Sequence, residues 1–198
     1  MVVVQTLPEL DAQYTPLFRK GQKEWRWARE AGMRFGNDTI VALQHRAGDP
    51  WVYHARAKRA CILGDWINGL STNEMEKLYT ITPFQGAVAG GDIRAIADTT
   101  RFHLRSAAQI ASILVPADGP YPAAMDALLR QLETGIPARA LDLLNLPVLL
   151  GRGEYLALVE AGATTVSGLW AMEHERLQAI LGPERAKQME RHRPAHET

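Results

Sequence analysis

Arg94, Asp98, Arg101 and Arg105 follow one another at intervals of four, three and four residues, and Phe102 stands beside them. At 100° per residue these four occupy about 60° of helical arc, with Phe102 just to one side. Three guanidinium groups and an aromatic ring would then share a ridge roughly 17 Å long. Guanidinium groups pair with phosphates and stack on bases, and an adjacent ring offers a stacking platform. Such a ridge suits a single nucleic-acid strand laid along the helix. The competing reading is a solvated face in which Asp98 is the ion-pair partner and Phe102 tucks against a neighbouring helix.

A second constellation is the run Leu146-Pro147-Val148-Leu149-Leu150-Gly151-Arg152-Gly153, followed by Tyr155 to Val159. It recurs more weakly over Leu177 to Ala186, around Gly182-Pro183. Each reads as a helix, a tight apolar turn with glycine, and a second helix. This is a helix-hairpin-helix layout, in which the N–H groups of the turn and of the next helix's first residues can hold a DNA phosphate without reading sequence. A glycine turn between helices is also common in any α-helical protein.

The parts of an enzyme are mostly missing. No G-x-x-x-x-G-K-[ST] occurs, and the cluster Gly86-Ala87-Val88-Ala89-Gly90-Gly91 lacks both a following lysine and a preceding strand, so it reads as a turn and a helix start. The six histidines are scattered, and the one i,i+4 pair, His192 and His196, has Pro194 between its members and reads as tail. No G-x-S-x-G, H-E-x-x-H or close Cys/His arrangement is present. The chain by itself is not expected to be an enzyme. A compact pocket lined by perturbed carboxylates or histidines would revive that reading.

The elements that must position these residues read as almost wholly α. Val2-Val3-Val4 and Thr39-Ile40-Val41-Ala42-Leu43 are the only short β-branched runs. Residues near 8–35 read as one or two helices carrying Leu10, Tyr14, Leu17, Phe18, Trp25 and Trp27, followed by a loop at Gly36-Asn37-Asp38. Asp49-Pro50 reads as a cap with proline at the first helical position of an apolar helix from Trp51 to about Asn68. Ser71-Thr72-Asn73-Glu74 has capping-box spacing and opens a short helix to Tyr79. Asp92 can cap a long helix over 93–115, whose Ile93, Ile96, Ala97, Thr100, Leu104, Ala107, Ala111 and Leu114 have the spacing of a buried face. Pro116 to Pro122 reads as a linker or tight loop, and shorter helices are expected near 122–134, 137–145, 152–161, 165–171, 173–181 and 183–191.

The 198 residues suffice for one ordinary domain or two small ones, and 46% are hydrophobic, which excludes disorder as the main state. Net charge is zero, which excludes a histone-like polycation, although residues 1–65 hold ten Lys/Arg against seven acidic residues. The lone Cys61 sits in the apolar run Ala60-Cys61-Ile62-Leu63 and reads as a core residue in a reducing compartment. No apolar stretch approaches the roughly 18 residues of a membrane span, so no membrane partner and a cytoplasmic location are expected.

The succession Lys58 to Asn68, then Glu74-Met75-Glu76-Lys77-Leu78-Tyr79, then Gly91-Asp92-Ile93-Arg94 with its long helix, then Leu146 to Arg152, resembles the C-terminal part of DNA helicases of the HELQ/POLQ-like branch of superfamily two, the DEAD/DEAH-box helicases. The resemblance spans roughly residues 55–190 and lies in order and spacing. It implies a ratchet-like helical bundle over 1–140, a small helix-hairpin-helix domain over 141–193, and a tail at 194–198. It also implies a non-catalytic DNA-binding region of an ATP-dependent 3′-to-5′ DNA helicase. Arg94 and Phe102 would engage the bases of a translocating single strand, with Arg101 and Arg105 beside them, and Leu150-Gly151-Arg152 would hold backbone. ATP and Mg would act only on RecA-like motor domains that are not on this chain, so no cofactor is expected here. Where the family carries an Arg-rich stretch after its Gly-Arg turn, this chain continues Gly153-Glu154-Tyr155. A fragment of a longer helicase and a free-standing accessory protein both fit. The other reading is a protein-interaction module whose Trp-rich part, Trp25, Trp27, Trp51 and Trp66, docks on a helicase motor or a DNA-repair partner.

Overall fold

The strongest local signals are helix starts, and the chain obeys them. In the computed structural model, which describes residues 1–18, 24–82, 86–114 and 121–193, the Asp49 carboxylate accepts from the Trp51 and Val52 N–H groups at 2.6 and 3.1 Å. Helix α3 (Pro50–Asn68) starts there and ends at Gly69, which takes the left-handed conformation at φ 83°. From Arg56 to Gly64 every residue of α3 is buried, so it is surrounded on all sides.

The elements around it are α1 (Trp25–Phe35), α2 (Asn37–Gln44), α4 (Thr72–Tyr79), α5 (Gly90–Leu114), α6 (Tyr121–Thr134) and a 3₁₀ turn at Val2–Thr6. A second 3₁₀ turn covers Pro8–Leu10. The Ser71 box is complete: Glu74 N–H donates to Ser71 Oγ, and Ser71 N–H to the Glu74 carboxylate. Beyond α6 come the 3₁₀ helix Ala138–Asn145, α7 (Arg152–Glu160), α8 (Val166–Trp170), α9 (His174–Leu181) and α10 (Pro183–Glu190). The protein is an all-α, multi-helix bundle, with no strand among the described residues.

Buried apolar residues form two clusters, one from Val2 to Leu132 around α3 and one from Ile136 to Met189. The expected boundary at 140/141 falls inside the 3₁₀ helix Ala138–Asn145, whose Ala140 and Leu143 both belong to the second cluster. Gly135 joins them at φ 67°, and a Cβ there would collide with Trp66 and Arg152.

Three local expectations need correction. Both β-branched runs are helical: Val2-Val3-Val4 lies in a 3₁₀ turn and Thr39 to Leu43 in α2. Thr39 Oγ1 donates to the Phe35 carbonyl at 2.9 Å, Ile40 packs on Gly32 and Leu43 is fully buried, so packing overrides β propensity. The loop expected at Gly36-Asn37-Asp38 shrinks to Gly36, because Asn37 already opens α2. Residues 14–18 are not helical, and the next helix among the described residues starts at Trp25. The linker residues Pro116 to Pro120, the tail 194–198 and thus His196 lie outside the described residues.

A buried polar network fixes α5 against the centre. Arg59, 0% exposed, donates through Nε to Gln5 Oε1 at 2.9 Å, and Gln5 Nε2 donates to Thr100 Oγ1 at 2.8 Å. Arg56 holds both oxygens of Asp11, at 2.8 and 2.7 Å, in the two-pronged geometry of a guanidinium on a carboxylate. Ile93, Ile96, Ala97, Thr100 and Leu104 are buried, as their spacing predicts. Ala107, Ala111 and Leu114 are exposed instead, because α5 outruns the bundle after Leu104. Cys61 is buried, and burial pushes its thiol up to about 12.

Candidate nucleic-acid interface

Helix α5 begins at Gly90, two residues before Asp92, and its start is closed by internal carboxylates. Asp92 Oδ2 accepts from Ala89 N–H at 2.9 Å, and Glu76 Oε1 from Gly90 N–H at 2.6 Å. A phosphate finds those donors taken. The interface must come from the side of the helix.

There the structure separates the four candidates. The Arg94 side chain is 66% exposed and faces Asp98 across a loose 3.8 Å pair. Phe102 is 67% exposed and meets His103 edge-on at 5.3 Å. Arg105 is exposed. Arg101 turns towards α6 and pairs with Glu133 at 3.0 Å. The ridge therefore offers Arg94, Phe102 and Arg105 to solvent. The tucked position weighed for Phe102 is not the one it takes, although Asp98 does partner Arg94. Leaving a phenyl ring in water forgoes about 1.5–3 kcal/mol of burial.

The turn at Leu150-Gly151-Arg152 is occupied from within. Leu150 is buried in the second core. Gly151 N–H donates to Glu154 Oε2 at 2.6 Å, and Arg185 Nε donates to the other oxygen of that carboxylate at 3.0 Å. Glu154 fills the place a phosphate would take. Arg152 lies across the junction of the two clusters: its Nε donates to the Gly135 carbonyl at 2.9 Å, Nη2 to the Leu70 carbonyl at 2.6 Å and Nη1 to Thr72 Oγ1 at 3.2 Å. Its guanidinium also lies 4.2 Å from the centroid of the Trp66 ring. Burial without an anionic partner lowers its pKa to about 10. Arg152, expected on DNA backbone, is in this fold a strut between the two cores.

Sequence reasoning passed over two residues of this turn. Leu149, at its tip, is 84% exposed while Val148 and Leu150 are buried, an alternation that an unbroken apolar run conceals. Glu154 stands three residues after Gly151, and that capping spacing could have flagged it as the internal ligand of the turn. The second hairpin has Gly182 at φ 81° between α9 and α10, and α10 carries no side-chain cap.

The chain matches no known protein-family profile and no curated protein. Among the described residues no helix is long and apolar enough to cross a membrane.

Proposed function

We propose that this chain is a non-catalytic DNA-binding region that guides a single strand along α5, as the C-terminal part of an ATP-dependent DNA helicase would. ATP acts, in this reading, only on RecA-like motor domains supplied in cis or in trans. The observation that supports it is the exposure of Arg94, Phe102 and Arg105 on one helix that is anchored by buried Thr100 and Leu104. A ridge of two exposed cations, one of them loosely paired with Asp98, and a bare ring fits phosphate pairing and base stacking together. The hairpin domain contributes rigidity through Arg152 rather than a phosphate contact by that side chain.

The test is a fluorescence-anisotropy titration of the full chain with single-stranded and duplex oligonucleotides at low and moderate salt. Salt-sensitive preference for the single strand is expected. The double variant Arg94→Glu, Arg105→Glu weakens it and lowers the slope of log K against log salt by about 1.4, or about 0.7 per lost phosphate contact. Unchanged affinity in that variant refutes the ridge.

The docking reading is favoured by a different observation from the one expected. Of the four tryptophans of that reading Trp27 and Trp66 are core, Trp51 is half-buried and Trp25 alone is exposed, whereas Ile110, Ile113 and Leu114 are exposed together on the outer half of α5. Absence of DNA binding even at low salt, with co-purification of RecA-like motor domains that Ile113→Asp abolishes, would replace the first reading by this one.

A further inference from the structure

A concavity of about 360 Å³ has Glu24, Arg26, Lys58, Lys77, Tyr79 and Ile81 on its walls. Among the described residues three cations line it against one carboxylate. That carboxylate is committed: Glu24 Oε1 accepts from Phe18 N–H at 2.8 Å and Oε2 from the Trp27 indole N–H at 2.7 Å. The Arg26 guanidinium lies 4.1 Å from the Trp27 ring centroid and the Lys58 ammonium 5.5 Å from the same centroid. Tyr79 stacks on that ring at 4.9 Å, so the indole is the common support of the whole group.

Lys58 is the unusual member. It is 1% exposed, and its ammonium donates to the Pro16 carbonyl at 2.6 Å. An ammonium carries three donors, and among the described residues this is its one hydrogen bond, while the nearby Glu24 carboxylate already holds two N–H groups. Burial lowers the Lys58 pKa to about 8, with Glu24 opposing the shift and Arg26 adding to it. Holding a poorly compensated cation in a recess costs stability, and an anion entering the recess would recover it. Tyr79, Ile81 and Leu78 give the same recess an apolar wall. A charged floor beside an apolar wall matches an anion that carries an apolar or aromatic body.

We infer that this recess binds the phosphate group of a nucleotide, either free or at the end of a DNA strand, with Lys58 at the floor and Arg26 and Lys77 at the rim. The inference stands on α1, α3 and α4 and does not depend on the α5 ridge, so either can fail alone.

The experiment is calorimetric titration of the full chain with a nucleoside monophosphate, with the matching nucleoside, and with a short oligonucleotide carrying or lacking a 5′-phosphate. Saturable binding of the monophosphate but not the nucleoside is expected. Arg26→Ala and Lys77→Ala, at exposed positions, each weaken it about tenfold, with melting temperature unchanged for Lys77→Ala and slightly lowered for Arg26→Ala, which also loses its stacking on Trp27, and Lys58→Met abolishes it in a chain shown to be folded by circular dichroism. The ridge variant Arg94→Glu, Arg105→Glu leaves it intact. A phosphorylated oligonucleotide that binds no better than the monophosphate marks a free nucleotide as the ligand, and one that binds more tightly, with the phosphate essential, marks a strand end. No binding of any phosphate compound at millimolar concentration, or binding that the Arg26 and Lys77 variants leave unchanged, overturns the inference.

Discussion

Arg152→Ala separates two roles for one residue. As a strut, Arg152 holds the Gly135 and Leu70 carbonyls at 2.9 and 2.6 Å and covers the Trp66 ring at 4.2 Å. Its removal orphans two carbonyls, at about 1–3 kcal/mol each where water cannot reach them. Lost stacking adds about 1–2 kcal/mol. Arg152 is half-buried, so water recovers part of the carbonyl cost, and relief of the buried charge returns more. The net expectation is about 3 kcal/mol, or a fall in melting temperature of roughly 6–12 °C for a chain of this size. Arg152→Lys keeps the charge but loses the planar fork, and falls between the two. Thermal and urea denaturation followed by circular dichroism read the stability. Limited proteolysis between the two cores, near Gly135, reads their coupling and should accelerate. Single-strand affinity per folded molecule stays within about twofold, since no phosphate contact is removed. Unchanged melting with a tenfold loss of DNA affinity would return Arg152 to the binding surface and refute the strut.

Three further outcomes follow from the geometry. Phe102→Ala removes a stacking platform but almost no packing, so single-strand affinity falls by about 1–3 kcal/mol in anisotropy titrations while the denaturation midpoint stays fixed. Asp11→Ala leaves buried Arg56 and Arg59 without their carboxylate and costs about 3–5 kcal/mol in urea denaturation. Cys61 keeps its proton up to about pH 12 in the fold, whereas the unfolded thiol releases it near 9. The folded chain then binds more protons between those values, so this contribution to stability is complete below pH 9 and shrinks as pH rises. Cys61→Ala should lose about 2 kcal/mol less than the parent between pH 8 and pH 10.5. Parallel pH profiles would show that Cys61 titrates normally.

Helix starts and buried faces were legible wherever the signal was local. Asp49-Pro50 and Ser71 to Glu74 carry their caps within four residues, and the spacing of Ile93 to Leu104 marks the buried face of α5. The same spacing misled beyond Leu104, because periodicity states which side a helix would bury and not how far the bundle extends. Thr39 to Leu43 misled in the other direction, since its β-branched residues pack well on a helix once Gly32 and Phe35 stand opposite.

The candidate site divides along the same line. The sequence by itself determined that Arg94, Phe102 and Arg105 share a helix flank, because a 3.6-residue period leaves no other arrangement. Only the tertiary structure decided that Arg101 faces Glu133 and that Arg152 bridges the two cores. Arg152 reaches partners 17 and 82 residues away, and no local pattern encodes contacts at that separation. The gathering of Arg26, Lys58 and Lys77 around one recess likewise depends on α1, α3 and α4 meeting at Trp27. Local hydrogen bonding writes helices into adjacent residues, whereas the solvation of a charged side chain is set by whatever the rest of the chain packs against it.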